Sequence, residues 1–565
     1  MPAAISAVLL LGLTGRPLGP NMQDTVRRYA TDRDSIERYY DVPLSTKGLA
    51  RREALANETL EQLQTVEFGD LDRSGQVDWI LLKNLLEAEL RDGATERARA
   101  ESMQRALPFA QRIVALEEAR WTLQKLDPET AASEIDTIRR EAESAQDSLR
   151  EGLEKKEADP STALRASKTL DGLGRTFKRW YDHYNGYKPD FSWWCAKPYE
   201  ECAKVLEGFE KFLREEAAGQ RGAENDPLVG DPIGRQRLED DLKREMLAYT
   251  ADELVEIAEH EYAWCLKEMT KAARDMGCGD DWKLAVEKTK ADHVPPGEQD
   301  DLVMSQGREA VEFVEKHDLV TLEPLVKETW RVNMLTAEQQ KNWPFAFYGG
   351  QHMATSYPVP EMSHDTKRMA MRGNNRHFLR AVTHHELIPG HHLQIYMAER
   401  YNAYRRTFST PFFVEGWALH WEMLLWDLDF PQSPMDRVGM LFWRMHRCAR
   451  IVVSLKFHLG EMTPAQMIDH LVDRVGHERW TATSEVRRYV GDMYSPLYQA
   501  AYMIGGLQLR ALYKDLVPKS MTPKQFHDAV LRLGPMPMEG VRLALTDAKL
   551  TRGFRPGRNV RASDH

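Results

Sequence analysis

Residues 383–394, THHELIPGHHLQ, place four histidines and one glutamate in twelve positions, with Pro389 and Gly390 in the middle. Imidazole nitrogens and carboxylate oxygens are the usual ligands of Zn2+. In the zinc-peptidase pattern H-E-x-x-H, two histidines four residues apart share a helix face, and the glutamate beside the first serves as general base. Here the position of the second histidine is taken by Pro389. His391 and His392 are the remaining candidates to join His385. At about 100° per residue, a spacing of six lies on the wrong face, and a spacing of seven lies about 10 Å along the axis. A straight helix therefore fails for both. Proline removes a backbone donor and clashes with the preceding turn, while glycine tolerates dihedrals closed to other residues. Together they can bulge the chain by about two residues and bring His391 to the vacant ligand place, with His392 as the alternative.

A third ligand should come from a later helix. In FFVEGWALHWE, residues 412–422, Glu415 follows His391 by 24 residues, enough for one helix to finish and a second to return antiparallel. His385, His391 and Glu415 would then hold one Zn2+ per chain. Glu386 would take a proton from water at the open position and pass it to a leaving amine. His384, His420 and Glu422 are expected to touch ligands rather than the ion. A solvent-facing histidine cluster is the bland alternative, but a Pro-Gly interruption weakens a helix with no packing gain to offset it. Di-iron chemistry needs paired E-x-x-H motifs, and Glu361–His364 is a single one in a segment without a helical pattern.

The elements that must position these residues read as helices. Capping boxes are expected at Thr250 with Glu253, at Thr463 with Gln466 and at Thr522 with Gln525, the last two followed by runs that stop at Gly476 and Gly534. Residues 98–156 read as two or more long helices broken near Asp127-Pro128. A short hairpin or extended edge is expected over 345–360. The loop-like segment 219–235 divides a single body, 23–555, into halves of about 23–218 and 236–555. With 565 residues, 42% hydrophobic and 29% charged, the chain can bury a large core. A net charge of −11 argues against nucleic acid as a partner. Five scattered cysteines give no disulfide framework or zinc pair, and buried reduced thiols are expected at Cys195 and Cys202. The apolar run 3–13 is too short to span a bilayer. It reads either as the core of a signal peptide, implying export to the periplasm, or as the product of a start assigned upstream of Met22, implying a cytoplasmic chain.

The runs HELIPGHHLQ, EGWALHWE and SEVRRYVGDMYSPLYQAAYMIGG (484–506), with HYNGYKPDFSWW (183–194), resemble the bacterial family called domain of unknown function 885, over roughly residues 23–555. That family is grouped with the gluzincin metallopeptidases, which include angiotensin-converting enzyme, thimet oligopeptidase and the carboxypeptidase Taq group. The resemblance implies a mostly α fold, a large helical body with a deep central channel and a short sheet lining the cleft. It implies His385, His391 and Glu415 as metal ligands, Glu386 as general base and Tyr502 as stabiliser of the tetrahedral oxyanion. Arg487, Arg488 and Tyr489 would bind a substrate carboxylate. His420 stands where the family has tyrosine, adding a possible metal or proton-transfer residue near Glu415. The expected function is zinc-dependent hydrolysis of short peptides. A zinc-dependent hydrolase of an amide in a small metabolite and a non-catalytic peptide-binding scaffold are the alternatives.

Overall fold

The computed structural model describes residues 21–155, 159–222, 226–491, 493–517 and 519–561. The apolar run 3–13 lies outside them. The fold is mostly helical, and local sequence explains where many helices start. Those at Pro128–Glu154, Pro160–Tyr184, Pro411–Asp427, Pro434–His458, Pro464–Val475 and Pro523–Leu533 each begin with proline, whose missing N–H would have no helical partner there. Each is preceded by a capping side chain: Asp127, Asp159, Thr410, Ser433, Thr463 and Thr522. Both sides of the capping box are formed at Thr250/Glu253, Thr463/Gln466 and Thr522/Gln525. The helix Pro464–Val475 ends at Gly476, in the left-handed region at φ 87°.

The hairpin expected over 345–360 is present as β2 (Ala346–Tyr348) and β3 (His352–Thr355), antiparallel with Phe347 opposite Ala354. A further strand, β1 (Arg331–Met334), pairs parallel with β3, giving the order β1-β3-β2. β1 is four residues long and largely open to solvent, so it lacks the apolar alternation that would announce it.

Two apolar cores form. The smaller gathers the helices Ala110–Trp121, Pro128–Glu154, Pro160–Tyr184 and Pro189–Phe212, including buried, unpaired Cys195 and Cys202. The larger takes the rest of the chain, and also the first helices, through Val26, Leu55, Leu63 and Val77–Leu86. The segment 219–235 thus follows the smaller core, while residues before Met103 pack largely with the second half. At the centre runs Pro434–His458, buried on almost every face and packed against Ala251–Asp275, Arg376–Glu386 and Tyr498–Leu516. Among the described residues no helix is long and apolar enough to cross a membrane.

Candidate metal centre

The helix Arg376–Glu386 carries His384, His385 and Glu386 in its last turn and stops at Leu387, with φ −100° and ψ −109°. A cis Ile388–Pro389 peptide follows, and a second helix, His391–Arg400, begins directly after Gly390. The interruption is therefore a link between two helices rather than a bulge within one. Gly390 folds back onto the end of the first helix, where its N–H donates to the His384 carbonyl at 3.0 Å. A Cβ at Gly390 would stand 1.7 Å from the His385 carbonyl oxygen, so no other residue fits without moving backbone. Trp417 fixes the link from the neighbouring helix by donating its indole N–H to the Pro389 carbonyl at 2.9 Å. The result sets the His385 and His391 rings 4.8 Å apart at 87°.

Glu415 arrives on the helix Pro411–Asp427, which crosses Tyr498–Leu516 at very short range. A Cβ on Gly505 would lie 2.2 Å from the Phe412 carbonyl oxygen, and one on Gly416 would lie 2.6 Å from Gly505 backbone. This crossing brings the Tyr498 hydroxyl onto Glu415 Oε1, to which it donates. The other oxygen, Oε2, lies 3.4 Å from His385 Nε2 and 3.3 Å from His391 Nε2. Ligand atoms about 2.0–2.1 Å from a tetrahedral Zn2+ are spaced by about 3.3–3.4 Å. All three atoms fall within 4.8 Å of one another, and Glu415 Oε2 accepts no hydrogen bond from any described residue. The donor set fits a divalent ion held by two imidazoles and one carboxylate.

The charges point the same way. Burial works against ionised Glu415, but His391 and His385 outweigh it and hold the carboxyl well below its usual range. Burial would lower His385, yet the Glu415 carboxylate close by, the hydrogen bond to Glu422 and the field of Glu422 and Glu386 raise it to about 9. Glu386 is pushed up by burial, against the pull of His385 and His391. Glu415 and Glu422 are thus held ionised beside the two histidines, and a carboxylate with two imidazoles is a donor set that suits a dication.

His385 and Glu386 line a pocket together with Tyr502, Arg447, Arg450 and Arg488. The Tyr502 ring lies nearly parallel to that of His385, 6.0 Å away and tilted by 13°. The segment from Trp343 to Ala346, which enters β2, lines the same pocket.

Other residues singled out in the sequence fall in different places. His392 is fully engaged, with Nδ1 on the Tyr348 hydroxyl at 2.8 Å and Nε2 on the Val326 carbonyl at 2.8 Å, so it faces away from the centre. His384 is buried against Phe430, and neither ring nitrogen has a hydrogen-bond partner among the described residues. Glu422 touches His385: its Oε1 accepts from His385 Nδ1 at 2.7 Å. His420 does not. It pairs with His527, Nε2 to Nε2 at 3.0 Å, within Trp421, Tyr513 and Phe526. The helix explains the split, since Glu422 lies seven residues after Glu415 and nearly on its face, whereas His420, five residues on, is turned away by about 140°. The same rotation separates Arg487, Arg488 and Tyr489. Arg488 reaches the pocket, Arg487 lies outside it and donates to the Lys341 carbonyl at 2.9 Å, and the Tyr489 hydroxyl is held by Glu485 and His446. Tyr498, Arg447 and Arg450 were not signalled by the motif. The trace they left was spacing alone, with Tyr498 one turn before Tyr502 and Arg447 three residues before Arg450.

The profile of the bacterial proteins of unknown function named DUF885 matches residues 28–545. None of the curated proteins matches the chain significantly. Two solved structures, each described as that of a "putative lipoprotein", share the fold. The one from Shewanella oneidensis, of unknown function, is 18% identical with a TM-score of 0.67, covering 92% of this chain and 99% of that one. The one from Colwellia psychrerythraea is 16% identical with a TM-score of 0.59, covering 93% and 98%.

Proposed function

The chain belongs to the bacterial DUF885 family, and on that premise we propose that it is a zinc-dependent hydrolase of peptide bonds in short peptides, with the gluzincin type of site. The observation that carries this reading is the meeting of His385, His391 and Glu415 within ligand spacing, with Glu386 lining a pocket beside His385. Zn2+ bound there would supply a Lewis acid that lowers the pKa of water and polarises a carbonyl. Glu386, with its pKa raised by burial, takes the proton from water and returns it to the leaving nitrogen. Tyr502, which lines the same pocket, donates from its hydroxyl to the carbonyl oxygen as negative charge develops. Its own acidity is suppressed by burial, which keeps that proton in place against the opposing pull of Arg450. The deep channel that would restrict access to short peptides belongs to this proposal.

The test is metal content by plasma mass spectrometry on untagged protein, followed by turnover of short peptides. Zinc should be bound by wild type, lost in His391→Ala and kept in His392→Ala. Glu386→Gln should keep the metal and lose at least ~100-fold in kcat. Unchanged turnover with metal bound would remove Glu386 from the chemistry, and absence of zinc even after its addition would sink the hydrolase reading.

For localisation we propose export, directed by the apolar run at 3–13 and in keeping with the two neighbours described as lipoproteins. Cell fractionation of the full chain beside one starting at Met22 tests this, and an identical distribution would refute it.

A further inference from the structure

Five of the eight large apolar side chains that the described residues expose are Tyr39, Leu123, Tyr187, Trp193 and Trp194. They gather at one end of the smaller core. The Tyr39 ring lies 5.3 Å from that of Trp121, two residues before Leu123. The loop after Leu123 leads to Pro128, whose carbonyl accepts from the Cys195 thiol at 3.4 Å, next to Trp194. The Gly186 N–H donates to Ser192 Oγ at 2.9 Å, which folds the turn of Tyr187 against that of Trp193. The patch is therefore made of loop tips and end turns of the helices Ala110–Trp121, Pro128–Glu154, Pro160–Tyr184 and Pro189–Phe212. Tyr187 and Trp193 are 78% and 86% exposed. Leu123 is 79% exposed and stands at φ 49°, a left-handed conformation unusual for a bulky side chain. Three of the five belong to the motif at 183–194, which the metal centre does not use.

A large aromatic side chain offers about 150–250 Å², so the patch exceeds the few hundred Å² that a monomer ordinarily shows. Its charges are mixed: the loops and first turns that carry it hold Lys125, Lys188 and Lys197 beside Asp127, Glu129 and Asp190, which matches no strongly charged partner. The chain's own apolar run at 3–13 is a poor cover. The eight residues from Leu13 to Asn21 would have to be fully extended, about 29 Å, merely to match the length of the helix Met22–Tyr39, about 27 Å. A lipid surface fits these properties. Tryptophan and tyrosine rings settle in the head-group layer with their polar tips in water, and lysine stems lie alongside. A fluid layer also moulds to loop tips, where a protein partner needs matching shape. We propose that this end of the smaller core rests on a bilayer of zwitterionic phospholipid, with the five side chains in the head-group layer. The assignment is independent of the hydrolase reading.

The experiment is cosedimentation of the full chain, and of the chain starting at Met22, with sucrose-loaded phosphatidylcholine vesicles. The second chain lacks the run at 3–13, which could seek lipid by itself, and keeps every helix of the fold. Both should pellet with the vesicles, equally at low and high salt, because the attraction is apolar. In either chain Leu123→Ser with Trp193→Gln should weaken partition by at least ~10-fold, while Leu325→Ser, at an exposed leucine elsewhere, should match wild type. All three positions are exposed, so the fold should be kept, and helical circular dichroism checks it. Absence of the Met22 chain from the pellet, binding that requires anionic phosphatidylglycerol and fades with salt, or equal partition of wild type and the double variant in the Met22 chain overturns the assignment. So does a dimer in sedimentation equilibrium that the double variant dissolves, which would give this face to a second copy.

Discussion

His385 and Glu422 are joined by a hydrogen bond of 2.7 Å from Nδ1–H to Oε1, and Arg447 steadies the same oxygen at 3.2 Å. A carboxylate only accepts, so this bond fixes the proton on Nδ1 and makes Nε2, beside Glu415 and His391, the nitrogen that would give up its proton to bind a metal. The pair of bonds also keeps Glu422 ionised: burial opposes charge, but Arg447 and His385 bring its pKa down to about 2. Glu422→Gln keeps the shape and removes the charge, and should lower zinc affinity by ~10–100-fold, as measured by competition with a chelating dye. His420→Phe, on the other face of the same helix, should leave that affinity unchanged. Equal affinities in wild type and Glu422→Gln would show that the bond does not tune the ligand.

Gly390 is the residue on which the link between the two histidine helices depends. A methyl group there would sit 1.7 Å from the His385 carbonyl oxygen, a contact that only a backbone shift relieves. Gly390→Ala should therefore cost about 1–3 kcal/mol in urea unfolding, the range for overpacked cores. It should also displace His391 from His385, so that zinc stoichiometry falls more than stability does. A variant that retains full zinc binding would mean that the link tolerates a side chain and that the glycine serves some other purpose.

Parts of this arrangement were legible in the sequence because they depend on local rules. Capping boxes, prolines in first helical turns and the stop at Gly476 involve residues within one turn of each other. The pairing of His385 with His391 could be reasoned from the Pro-Gly interruption, although as a bulge rather than as two helices. Glu422 lies two turns after Glu415, a spacing that separates it from His420, with which sequence alone groups it. Arg447, Arg450 and Tyr498 follow from no motif spacing. Their places depend on how Pro434–His458 and Tyr498–Leu516 pack against the histidine helix, which is tertiary information. Of Arg487, Arg488 and Tyr489, for which a carboxylate-binding role is expected, Arg488 alone lines the pocket, because consecutive helical residues point about 100° apart.

Stability should fall steeply in mild acid, because the fold buries several histidines in their neutral form. Burial, with smaller effects of neighbouring charges, lowers His446 to about 3, with Glu485 pulling upward and Arg450 and Arg447 downward. It lowers His458 and His527 to about 4, and places His420 and His477 well below their ordinary value. In the unfolded chain these groups titrate near 6.5. Between about pH 6.5 and pH 4 the unfolded state therefore binds more protons, so unfolding takes up protons and stability drops as pH falls. Each such proton adds about 1.4 kcal/mol per pH unit to the slope. Glu485, held well below its usual range by Arg488 and His446 against burial, acts in the same direction at lower pH. Glu245, raised by burial to about 8, acts oppositely, losing stability as pH rises. Urea unfolding of metal-free protein at pH 7.5, 6.5, 5.5 and 4.5 should give midpoints that fall with a slope of several protons. His458→Gln, which removes a histidine that has no histidine partner, should reduce that slope by about one proton. A midpoint that stays level from pH 6.5 to 4.5 would mean that these imidazoles are charged in the folded protein and that the cavities around them admit water.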